Sequence, residues 1–145
     1  MIQRIQSIFL IMTGIVFGLL FTLPLATSSK PSVQFLSDSV FDITDHPALI
    51  GLTILGILVA LVSVFMFRKR QAQLKLGYLL IIVAILLPVI SFVLFTNASA
   101  EVDQSVQVYD QAGMYLPLAS IVFAALANYF IRKDEKLVKS MDRLR

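Results

Sequence analysis

Four long uncharged windows constrain this chain more than any other feature. Residues 5–29, 47–67, 76–100 and 111–131 contain no Asp, Glu, Lys or Arg over 25, 21, 25 and 21 residues. Between the second and third stands Arg68-Lys69-Arg70-Gln71-Ala72-Gln73-Leu74-Lys75, four cations in eight residues. No globular core would separate runs that apolar with so short a basic bridge. A helix rises about 1.5 Å per residue and needs about 20 apolar residues to cross a hydrocarbon layer roughly 30 Å thick, so every window suffices. In lipid, single segments like these satisfy their backbone polar groups only by forming helices. Composition agrees, with 14% charged residues against about 25% in a soluble domain.

The expected fold class is an all-α integral membrane protein. It is read as a four-transmembrane-helix bundle forming a single domain, 1–145, with spans at about 7–25, 48–67, 76–95 and 114–131. Loops 26–46 and 96–113 then lie on one side, and the turn 68–75 and the tail 132–145 on the other. Lys and Arg favour the cytoplasmic side of a membrane. Arg4, Arg68, Lys69, Arg70, Lys75, Arg132, Lys133, Lys136, Lys139, Arg143 and Arg145 share one side, eleven of the twelve cations, and Lys30 alone takes the other. Both termini and the 68–75 turn are therefore expected in the cytoplasm. The first span is expected to be retained, because its apolar run exceeds the usual h-region of a cleaved signal and no A-x-A site follows near Ala26.

Small residues mark the expected packing faces. Gly14 and Gly18 form a G-x-x-x-G pair; Gly51, Gly56, Ala60 and Ser63 line one stripe of the second span; Ala119, Ser120, Ala124, Ala127 and Asn128 do so in the fourth. Thr13, Thr53, Ser63, Ser91, Ser120 and Asn128 suit hydrogen bonds between helices. Pro88 predicts a kink in the third span, with Ser91 one turn later to satisfy backbone groups freed by the bend. Pro47 fits the first turn of a helix, flanked by Asp45 or His46.

The outer loops alternate polar and apolar residues. Val33 and Phe35 in the first loop, where Val40, Phe41 and Ile43 then bracket Asp42, and Val102, Val106 and Val108 in the second follow the period of two of half-buried strands. Two such stretches on one side predict a small extracytoplasmic β cap. Ala26–Pro31 has the composition of a turn. Past Ile131 the tail is expected to continue as a helix, with Leu137, Met141 and Leu144 at i, i+4 and i+7 forming an apolar seam.

Two terminal stretches carry a resemblance. The start MIQRIQ before an apolar span and the end IRKDEKLVKSMDRLR after the last one resemble a domain-of-unknown-function family of small four-span bacterial inner-membrane proteins. The resemblance implies this fold and location, and it transfers no catalytic residue.

Chemistry is sparse. The chain has no cysteine, so thiolate nucleophiles, disulfides and Cys-ligated metals are excluded. His46 beside Asp42 and Asp45 is thin for a metal site, which needs three or four ordered ligands. Glu101 and Asp103 fit a solvated strand face. Charged groups at depth normally mark membrane active sites and ion paths, and the four windows contain none. No catalytic residue, metal or cofactor is expected, and the basic charge follows membrane topology, not nucleic acid. Arg4, Arg68, Lys69, Arg70, Lys75, Arg132 and Lys133 are expected to set topology or hold anionic lipid headgroups.

The expected function is a non-catalytic accessory or scaffold subunit of a larger inner-membrane assembly. Its helix faces, outer cap and tail would bind other integral subunits, with homo-oligomers left open. The alternative is a small transporter or channel for a small or lipophilic solute that uses the Pro88 kink. The tail seam is expected to dock on the 68–75 turn or on a partner subunit, in preference to the alternative of an interfacial helix dipped into the lipid headgroups.

Overall fold

The computed structural model describes residues 2–28, 38–67, 69–99 and 108–142. In chain order they form α1 (Ile2–Leu19), β1 (Ala26–Ser28), β2 (Val40–Phe41), α2 (Pro47–Phe65), α3 (Arg70–Ser99), β3 (Val108–Asp110) and α4 (Leu116–Asp142). Short 3₁₀ turns at Ile43–Asp45 and Ala112–Tyr115 precede α2 and α4. Each helix packs on two neighbours: α1 on α4 and α2, and α3 on α2 and α4, which closes the four into a ring.

Three helical segments, Pro47–Phe65, Arg70–Asn97 and Ala112–Val138, are long and apolar enough to cross a membrane, and Ile5–Leu19 is a shorter apolar helix. Their outward faces are apolar too. Ile8 and Ile15 on α1, Leu58 on α2, Ile82 and Phe92 on α3 and Val122 on α4 are all exposed. A water-facing surface does not carry apolar patches on that scale.

The first helix ends earlier than its apolar window. Residues 7–25 read as one span, yet α1 stops at Leu19 and the chain turns, with Thr22 N–H and Leu23 N–H both donating to the Leu19 carbonyl. Pro24 offers no donor and disfavours a helical residue before it. Leu20 and Leu25 spend their apolarity in the core, 1% and 4% exposed, and not on lipid.

The sheet differs from the expected pairing of two loop strands. Its order is β2-β1-β3, so Ala26–Ser28, read as turn material, is the central strand. β2 and β3 pair with β1 and not with each other: Ala26 lies opposite Phe41 on one side and Asp110 on the other. The alternating residues Val33, Phe35, Val102 and Val106 lie outside the described residues. Gly113 ties the 3₁₀ turn leading into α4 to the bend just before β1. Its N–H donates to the Pro24 carbonyl at 3.0 Å, and a β-carbon there would sit 2.6 Å from the Leu23 carbonyl oxygen.

Helix starts follow local chemistry. Asp42 accepts from Thr44 N–H at 2.6 Å, and Asp45 accepts from Asp42 N–H at 2.7 Å, a reciprocal capping box. His46 then caps α2, its Nδ1 accepting from Ala48 N–H at 3.2 Å, with Pro47 at the first helical position. At the other end of α2, the basic segment 68–75 is mostly helix and not turn, because α3 begins at Arg70.

Pro88 lies inside α3, which is helical on both sides of it. Ser91, expected to compensate the proline, does not: its enclosed hydroxyl has no hydrogen-bond partner. The reason is distance along the axis. Proline frees the carbonyl of Ala84, and Ser91 lies seven residues beyond it, a rise of about 10 Å.

Candidate functional site at the charged end of the bundle

Charged and amide side chains that link one helix to another gather at the end opposite the sheet, where α3 begins and α4 leaves the apolar window. Arg70 is the first residue of α3, and its Nε lies 2.9 Å from Asp134 Oδ2. The two side chains are 26% and 15% exposed, and among the described residues the guanidinium is the one partner of that otherwise enclosed oxygen. Two turns farther along α3, Arg132 places its guanidinium 5.4 Å from the centre of the Tyr78 ring, a cation–π contact. Both contacts join α3 to α4.

Between them lies a polar layer. Gln73, fully buried, donates from Nε2 to the Ser63 carbonyl at 3.1 Å and so ties α3 to α2. Gln6, 2% exposed, donates from Nε2 to the Phe130 carbonyl at 3.2 Å and ties α1 to α4. Asn128, 5% exposed, lies against Gly77, and neither of its amide atoms has a hydrogen-bond partner. Gln73 Oε1 and Ser63 Oγ are likewise unpaired.

This layer corrects the expected source of interhelical hydrogen bonds. Thr13 bonds the Phe9 carbonyl, Thr53 that of Leu49, and Ser120 that of Pro117, each inside its own helix. Short hydroxyl arms find their own preceding carbonyls first. The longer glutamine arms cross to neighbours. Gln6 and Gln73 were missed because one sits at the edge of an apolar window and the other inside a basic stretch read as a turn. Their mark in the sequence is an uncharged amide within a turn or two of a helix end.

The small residues divide. A β-carbon on Gly14 would meet Ala60 at 3.4 Å, and one on Gly56 would meet the Phe17 ring at 2.9 Å, so both allow close helix contacts. A β-carbon on Gly18 or Gly51 would meet no neighbouring element within 4 Å, so the G-x-x-x-G pair works at one of its two glycines. Ala60, Ser120 and Ala124 are buried.

The expected headgroup cations also divide. Arg70 and Arg132 are engaged within the protein, while Lys69, Lys75 and Lys133 are exposed. Arg68 and the side chain of Arg4 lie outside the described residues. Of the tail seam, Leu137 is 46% exposed, and the side chain of Met141 and all of Leu144 lie outside the description. Among the described residues no three His, Cys, Asp or Glu side chains group to hold a metal.

Fold and site together define a four-helix protein with three helices long and apolar enough to cross a membrane, a small sheet at one end and a cross-braced charged end at the other. The chain belongs to the DUF4293 family, described as a domain of unknown function, whose model matches residues 2–144. No match to the chain was found among curated proteins or solved structures.

Proposed function

We propose that this chain is a non-catalytic accessory or scaffold subunit of a larger assembly in the bacterial inner membrane, crossing it four times with both termini in the cytoplasm. The eleven cations at one end support the orientation. In support of a fourth crossing, α1 has 18 residues, a rise of about 27 Å, and packs between α2 and α4.

One observation carries the binding role. α4 continues as a helix from Ile131 to Asp142, well past its apolar window, and beyond the Asp134 brace it presents Leu137 46% exposed. A topology anchor needs only Arg132 and Lys133. The remaining helix, with the seam of Leu137, Met141 and Leu144, fits an integral or peripheral protein partner on the cytoplasmic side. Among the described residues the buried polar groups are amides and hydroxyls without a charge, which favours packing over a solute path.

Purification from native membranes tests this. The reading expects a stoichiometric complex that a variant with Leu137, Met141 and Leu144 all changed to Ser no longer holds, while still inserting normally. Solute flux through proteoliposomes of the lone protein, with no stoichiometric partner, would replace it with the transporter reading.

A further inference from the structure

Beneath the sheet lies a cavity of about 270 Å³ that neither the packing nor the scaffold reading requires. Its roof follows from strand register. Phe41, Ala26 and Asp110 stand side by side across β2, β1 and β3, and directly opposed residues project to the same face of a sheet. All three line the cavity. Phe41 and Ala26 are 2% and 6% exposed, as expected of an apolar roof, whereas Asp110 ends the row with an exposed carboxylate.

The walls are mostly apolar: α3 contributes Leu87, Pro88, Phe92 and Phe95 together with the unpaired Ser91 hydroxyl, and the approach to α4 contributes Met114. Phe92 and Met114 line the cavity and are also 61% and 41% exposed on the outer surface, so the cavity opens sideways between α3 and the start of α4. Asp110 is the single ionisable residue in its lining among the described residues.

We infer that this cavity binds a lipophilic amine, with its apolar body between the α3 aromatics and Met114 and its ammonium on the Asp110 carboxylate. Charge decides the head group. Asp38, Asp42 and Asp45 share this end of the molecule with Asp110, so a cation is drawn in and a phosphate-bearing head is opposed. Size decides the body. A cavity of about 150 Å³ takes a six-carbon ring, so the present volume suits about ten to twelve carbons. An ammonium–carboxylate hydrogen bond in partly apolar surroundings is among the stronger pairings available to such a ligand. The inference rests on the cavity alone and does not depend on the scaffold role.

The test uses the full chain in nanodiscs and decylamine carrying a diazirine at its chain end, with crosslinked peptides mapped by mass spectrometry. Crosslinks are expected on the peptides holding Phe92 and Met114. Unlabelled decylamine should displace the probe at about tenfold lower concentration than decanol, the factor one charge-assisted hydrogen bond supplies. Asp110→Asn, a near-isosteric change at an exposed position, should abolish that difference. Ala26→Leu should fill the cavity and suppress crosslinking. Equal competition by decanol, equal competition by phosphatidylethanolamine, or an unchanged preference in Asp110→Asn would each overturn the proposal, whether or not Ala26→Leu folds.

Discussion

The Asn128 amide on α4 rests on the bare backbone of Gly77 on α3, so closely that a β-carbon at 77 would come 2.7 Å from Asn128 Cγ and 2.9 Å from Nδ2. Neither helix can turn about its axis there without breaking the fit. Gly77→Ala should therefore destabilise the protein by about 1–3 kcal/mol, the usual cost of overpacking. Asn128→Ala should cost less, because the amide has no hydrogen-bond partner to lose. Combining the two should recover most of the Gly77→Ala loss. A double-mutant cycle on thermal unfolding in detergent measures this, and strict additivity would show that the two residues do not meet.

Arg70 and Asp134 offer a second cycle. Both side chains keep some contact with solvent, so the coupling between Arg70→Ala and Asp134→Ala should be modest, about 1 kcal/mol. The charge swap Arg70→Asp with Asp134→Arg should restore stability that either half of the swap removes. Protease sensitivity of residues 135–142 should rise in each single variant and return to the native level in the swap.

Asp45 gives a pH signature. Burial raises its pKa above the ordinary 3.8, the Asp42 N–H bond opposes this, and the charges of Asp42 and Asp38 add to the rise. The folded protein therefore holds this proton more tightly than the unfolded chain. The stability Asp45 contributes is fully present below its unfolded pKa and is lost as pH rises through the folded value. Asp45→Asn keeps an acceptor for Asp42 N–H and removes the titration. Its unfolding midpoint should fall less steeply from about pH 4 toward neutrality than that of the native protein. Parallel pH profiles would assign the slope to other groups.

Orientation is testable because the chain has no cysteine of its own. Single cysteines replacing Thr44 and Ala112, exposed at the sheet end, should react with an impermeant thiol reagent once the outer membrane is opened. Cysteines replacing Gln71 and Ser140, exposed at the charged end, should react only after the inner membrane is broken. The opposite pattern would invert the molecule.

Charge segregation by itself marked four helices and their approximate places, but not their ends: α1 stops at Leu19 inside its window, α3 starts at Arg70 within the basic stretch, and α4 runs on to Asp142. Helix is the one local structure that satisfies a backbone through long uncharged runs, so α2, α3 and α4 fall on windows 47–67, 76–100 and 111–131. The cap at His46 and Pro47 was legible for the same reason, since its chemistry spans only neighbouring residues. Contacts between distant residues were not legible. Apolarity runs on past Leu19, but the chain leaves the helix to place Leu25 N–H on the Phe41 carbonyl, 2.8 Å away. Ala26–Ser28 is too short and too polar to read as a strand, and two partners from distant loops make it the central one. Nothing near Asp134 or Gln73 in the chain names its partner; antiparallel packing of α3 on α4 brings Arg70 to the first, and that of α2 on α3 brings the Ser63 carbonyl to the second. Periodicity and charge report how each segment meets its solvent, whereas polar pairing across helices is decided by register, which exists only once the bundle has closed.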